Sequence, residues 1–157
     1  MNTGKPQKTL NEASKIRLTY KLNQVCNLLD ELYDTNAGGC CYIAYCVAKL
    51  LLNDGFNNVK LLVFTDDDVE GCWPTFQDIP ESQPHYAIEV EDQRINCDGY
   101  EEQDYYELEY PITNASSILK HYKRCNWNTD YSKRKNSYVS RVLKSFHDDF
   151  IKDLCKR

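Results

Sequence analysis

Two glycines followed by two thiols, Gly38-Gly39-Cys40-Cys41, stand directly before a run that is apolar on nearly every face, CCYIAYCVAKLLLNDGF. If that run is a helix, both thiols lie in its first turn. There the free backbone N–H groups and the positive end of the helix dipole favour thiolate over thiol. The same donors can hold an oxyanion during acyl transfer. A thiolate so placed is a nucleophile when a base is near. The base expected is His85, which opens the strand-like segment HYAIEV and shares one face with Ala87 and Glu89. A hairpin with Asp92 and Gln93 at its tip sets Ala87 opposite Asp98 and Glu89 opposite Asn96. Asp98 is then diagonal to His85, where a carboxylate can fix the imidazole tautomer that serves the thiol. Asn96 shares the parity one step further away, and a one-residue change of register would remove both. For a second oxyanion donor, Gln24 and Asn36 are the candidates.

The elements that must position these groups follow from periodicity. Thr9-Leu-Asn-Glu12 has the form of a capping box, and Ile16, Tyr20, Leu22, Val25, Leu28, Leu29 and Leu32 recur mostly at three- and four-residue steps, predicting a helix over 10–33. The helix that Cys40 opens ends at Asn53-Asp54-Gly55 and is central and buried. On it Ala44, Val47 and Leu51 continue the stripe of Cys40 onto the face expected to pack on a sheet. Strands are expected over Val59–Phe64, His85–Val90, Arg94–Asp98 and Tyr105–Tyr110, with a long acidic loop over 66–84. Asn114 caps a helix to about Lys123, and a last helix covers 132–155. Helix, helix, strands, helices is an α+β order, and 157 residues suit one domain: an N-terminal helix over 10–33, a core over 38–110 and C-terminal helices over 114–155.

Composition limits the function. A net charge of −5, with acidic clusters at Asp66-Asp67-Asp68, Glu89 to Asp92 and Glu101 to Glu109, disfavours nucleic acid as a partner. The basic residues between Lys120 and Arg141 read as a solvated helix face. No stretch approaches the ~20 apolar residues that cross a bilayer and no apolar leader opens the chain, so a cytoplasmic protein without a membrane partner is expected. The eight cysteines contain no CxxC pair, which predicts reduced thiols rather than disulfides or structural zinc. No metal or cofactor is expected. Asp66 to Asp68 read as a solvated turn, His121 and His147 as exposed on polar helix faces, and Tyr105, Tyr106 and Tyr110 as packed on the sheet. The abundance of Asn, Lys and Tyr resembles that of phage or other mobile-element products.

The segment 38–99 resembles the transglutaminase-like branch of the papain-like superfamily. The matching residues are Gly38 and Cys40 opening a helix, Ala44 four positions on, Leu50-Leu51 before Gly55, His85 opening a strand that continues Ile88-Glu89-Val90, and Asp98 ending the next. The resemblance implies a buried helix packed on a small antiparallel sheet. It also implies a triad of Cys40 as nucleophile, His85 as base and Asp98 as orienting residue, acting at an amide or thioester carbonyl of a protein or peptide. The Cys41-Tyr42 pair also resembles the papain-type Cys-Trp step, which would make Cys41 the nucleophile. Two functions remain: a thiol-dependent amide hydrolase or acyltransferase, that is a peptidase, deamidase or transglutaminase-like enzyme, and a catalytically silent papain-like domain that binds a protein partner.

Overall fold

A computed structural model describes residues 12–33, 40–65, 73–79, 85–97, 100, 105–125 and 129–151, with side chains left undescribed at 33, 129–133, 135 and 151. Among the described residues four α-helices and four strands follow in the order α1 (Glu12–Tyr33), α2 (Cys40–Asn53), β1 (Val59–Thr65), β2 (His85–Val90), β3 (Gln93–Ile95), β4 (Tyr106–Ile112), α3 (Ser116–Cys125) and α4 (Thr129–Phe146), with a π-helical turn at His147–Ile151. The class is α+β. One antiparallel sheet has the order β3-β2-β1-β4. No helix among the described residues is long and apolar enough to cross a membrane.

The apolar stripe predicted on α2 does what its sequence requires: Cys40, Ala44, Val47 and Leu51 are all buried. They pack with Leu61, Val63, Tyr86, Ile88 and Val90 in the main core, so α2 covers the sheet face on which Tyr86, Ile88 and Val90 stand. Its end is a Schellman cap. Phe56 N–H bonds to Leu51 O at 3.1 Å and Gly55 N–H to Leu52 O at 3.1 Å, with Gly55 at φ 96°, a conformation glycine adopts without a Cβ clash. Asn114 caps α3 as expected, its Oδ1 accepting the N–H of Ser116 at 3.0 Å.

On α1 the core face differs from the expectation. Leu18, Leu22, Cys26 and Leu29 are buried, whereas Ile16, Tyr20, Leu28 and Leu32 face outward. Two apolar rows share this helix, and the sheet and α4 can cover only one. β4 runs past Tyr110 through Pro111, which an edge strand tolerates because the missing N–H has no partner strand to serve.

The β2–β3 hairpin turns one residue earlier than its composition suggested, which shifts the cross-strand pairing by two residues. Val90 pairs with Gln93, Glu89 with Arg94 and Ile88 with Ile95. The tip is therefore Glu91-Asp92, both at positive φ (54° and 64°), the geometry of a type I′ turn without its usual glycine. Parity is preserved by the two-residue shift, so His85, Ala87 and Glu89 still share a face with Arg94. On that second face Leu62, Phe64, Ala87 and Cys97 form a small cluster covered by Tyr100 and Tyr105. Arg94 reaches across it from one edge of the sheet to the other: its guanidinium bonds both oxygens of Glu107 on β4 at 2.7 Å and Glu89 on β2 at 3.3 Å. Replacing Arg94 with alanine leaves these carboxylates without their shared cation. The expected loss is about 1 kcal/mol in urea unfolding, reduced further by salt.

Candidate active site

β3 stops at Ile95 because Asn96 adopts the left-handed conformation, φ 68°, which asparagine tolerates better than most residues. A two-residue hairpin makes Val90–Gln93 and Ile88–Ile95 hydrogen-bonded pairs, so the next such pair would be Tyr86 with Cys97. The kink at Asn96 diverts the chain before that pair forms. Two groups are thereby released toward the start of β2: the N–H of Tyr86 and the carbonyl of Asn96.

Both are used. The Tyr86 N–H is directed at the sulfur of Cys40, as are the N–H groups of Cys41 and Cys40 itself in the first turn of α2. The Asn96 carbonyl meets Nε2 of His85 at 2.6 Å. Since a carbonyl can only accept, Nε2 carries the proton, and in the neutral ring Nδ1 holds the free lone pair. That atom is buried and has no hydrogen-bond partner among the described residues. Tyr100 lies flat on the imidazole, ring centroids 3.7 Å apart and planes within 2°, shielding the Nε2–H···O bond from water.

A third residue, far away in sequence, sets this geometry. Asn23 on α1 donates from Nδ2 to Arg94 O at 3.1 Å and accepts the Asn96 N–H on Oδ1 at 2.7 Å. Its amide thus imitates a neighbouring strand along the open edge of β3 and turns the Asn96 N–H outward, while the carbonyl points back to His85. Nothing in the sequence around Asn23 marks it, since the partners lie 71 and 73 residues on.

Electrostatics make the resting pair neutral. Burial pushes the Cys40 thiol up, and the three N–H donors only partly offset this. Burial also pulls the His85 imidazole down, against the Asn96 carbonyl and the carboxylate of Asp30, which favour its charged form. Cys41 is pushed up more strongly, first by burial and then by its neighbours Cys40 and Cys125, with no backbone donor to oppose the shift. Only Cys40 of the two adjacent thiols has the groups that stabilise a developing thiolate.

The predicted residues therefore fare differently. Cys40 contacts the backbone N–H of Tyr86, the residue next to His85 in the chain. Cys40 and His85 arrive from different sides, because α2 covers the Tyr86 face while His85 stands on the face of Phe64 and Tyr100. They do not bond each other here, and Cys40 and His85 are only 6% and 5% exposed, so neither meets solvent. Asn96 takes part through its backbone carbonyl; its side-chain Nδ2 is buried without a partner among the described residues. Asp98, Asn36 and the residues of the 66–72 and 80–84 segments lie outside the described residues. Gln24 does not face the site: it is exposed and its Nε2 lies 3.2 Å from the Tyr20 hydroxyl, which corrects its expected role as an oxyanion donor. Cys26, Cys40, Cys41, Cys46, Cys97 and Cys125 are not in disulfides, and among the described residues no group of three potential ligands could hold a metal ion.

If the carbonyl of Asn96 rather than its amide orients the imidazole, Asn96→Gly should leave the alkylation rate of Cys40 within about twofold of wild type, because glycine also adopts positive φ. Asn96→Val should lower both that rate and stability, the latter by about 1–2 kcal/mol. Iodoacetamide labelling and urea melts of the two variants check this.

No family model, curated protein or solved structure matches this chain.

Proposed function

We propose that this protein is a thiol-dependent amide hydrolase or acyltransferase with a papain-like core, acting on a carbonyl of a protein or peptide, with Cys40 as nucleophile and His85 as base. The single observation that supports the reading is the tautomer of His85: its proton is committed to the Asn96 carbonyl at 2.6 Å, leaving Nδ1 unpaired among the described residues, while the backbone N–H of the next residue, Tyr86, is directed at the Cys40 sulfur.

In the proposed reaction Tyr100 swings off the imidazole and admits substrate to the buried pair. A shift of the first turn of α2 against the start of β2 brings Sγ to Nδ1 with the Nε2 bond to Asn96 kept, Nδ1 takes the thiol proton, and sulfur attacks the carbonyl carbon. The oxyanion is met by the N–H groups of the first turn of α2. The imidazolium, still held at Nε2 by Asn96, returns its proton to the leaving group, and water or an amine releases the acyl group from sulfur. Asp98 remains the proposed orienting carboxylate, acting together with the Asn96 carbonyl. The neutral resting pair places the acid limb of the reaction below 6.5, since burial lowers His85.

A second reading is supported by the closed state itself. A thiol and an imidazole that are both buried, both neutral and not bonded to each other are also what a silent papain-like binding domain would retain. The two are separated by incubating the chain with a peptidyl thioester and following thiol release. The enzyme gives turnover that Cys40→Ser abolishes; the binding domain gives the same background rate before and after the substitution.

A further inference from the structure

We propose that the outward face of α1 is the interface of a two-fold symmetric dimer with a second copy of this chain. The inference is independent of the catalytic reading. Ile16, Tyr20, Leu28 and Leu32 are 58%, 61%, 47% and 58% exposed, and they make up four of the six large apolar side chains exposed among the described residues. Together with Gln24, also exposed, they form one unbroken row at four-residue steps along α1. Such rows are the ridges that interdigitate when two helices cross at about −50°.

The row is self-complementary. About a centre at Gln24, an antiparallel partner sets Ile16 beside Leu32, Tyr20 beside Leu28 and Gln24 beside its own copy. The charges follow the same symmetry. Arg17 and Lys21 lie before the centre and Glu31 after it, so Arg17 of each copy comes opposite Glu31 of the other. Arg17 is exposed, with its guanidinium 5.1 Å from the ring of Phe150. An isologous contact needs this kind of match, since every pair in it occurs twice. A lipid surface fits poorly, because Glu31 lies within the face and the chain carries a net charge of −5.

The test is sedimentation velocity of the full chain at rising concentration, with circular dichroism melts to verify that each variant folds. The expected result is a reversible monomer–dimer equilibrium at concentrations up to about 0.1 mM. Leu28→Lys should shift it to monomer throughout. Arg17→Glu should weaken it about tenfold by turning two attractive pairs repulsive, and adding Glu31→Arg should restore it to within about threefold. A chain that stays monomeric overturns the proposal, whether or not the monomer binds vesicles containing anionic lipid. So does a dimer indifferent to Leu28→Lys, or one that the double charge exchange fails to restore.

Discussion

Cys40→Ala is expected to reduce thioester turnover to background, a loss of at least about 10³-fold, with His85→Gln losing nearly as much and the double variant no more than either alone. The magnitude follows from the groups that act as a unit. Without the thiol there is no acyl intermediate. Without Nδ1, a thiol pushed up by burial has no base to deprotonate it at neutral pH. Cys41→Ala should retain most activity, because the Cys41 thiol lacks the backbone N–H contacts that Cys40 receives from Tyr86, Cys41 and its own amide. Parallel single-turnover rates on the four variants check the ranking, and circular dichroism melts separate loss of chemistry from loss of fold.

The second large effect is on stability against pH, and it comes from His121 rather than from the candidate site. His121 is 0% exposed, not solvated as its polar helix suggested. Arg124 Nη2, which donates to the carbonyls of Gln77 and Ile79, lies 3.2 Å from Nδ1, and Nε2 lies 2.9 Å from the Tyr86 hydroxyl. Protonating the ring would set two cations side by side. Burial first, and then Arg124, pull the imidazole down to about 4. In an unfolded chain the same group titrates near 6.5, so between these values the unfolded state binds the extra proton. Stability must then rise with pH from about 4 to about 6.5 and fall as pH drops through that window, by up to about 3 kcal/mol.

His85, also lowered by burial, acts in the same direction. His147 does not: burial pulls it down, but bonds to Asp54 and Asp148 outweigh this and raise it. Its contribution is therefore complete below 6.5 and is lost only at higher pH, leaving the acid window unaffected. Urea unfolding between pH 4 and 7 should show the slope, and His121→Gln should flatten it while lowering stability at neutral pH. A wild-type stability constant across that range would contradict the account.

Where one physical signal decided an element, the sequence was readable. The 40–53 helix is apolar all round and is buried; Gly55 closes it because only that residue takes φ 96° without penalty. His85 opens its strand, and Cys40 heads the stripe that packs on the sheet. The hairpin register was not readable, because its turn uses Glu91 and Asp92 at positive φ without a glycine to announce it. Nor was the role of Asn96, since composition cannot tell an asparagine that contributes its side chain from one that contributes a kink and a carbonyl. Asn23 and His121 failed for a shared reason. Each is polar on a helix that looks solvated, and each is matched by groups that come near only in the folded chain: Arg94 and Asn96 for one, Tyr86 for the other. On α1 two apolar rows compete, and periodicity alone does not say which one the sheet covers.

The account rests on one coupling, between the sulfur of Cys40 and the imidazole of His85. It is tested most directly by the pH dependence of Cys40 alkylation by iodoacetamide, mapped by peptide mass spectrometry in wild type and in His85→Gln. The predicted result is a rate at Cys40 that rises with an inflection below 6.5, where His85 becomes the free base, and an inflection that disappears in His85→Gln while the other cysteines react unchanged. Identical profiles for Cys40 in the two proteins would mean that the imidazole does not serve that thiol.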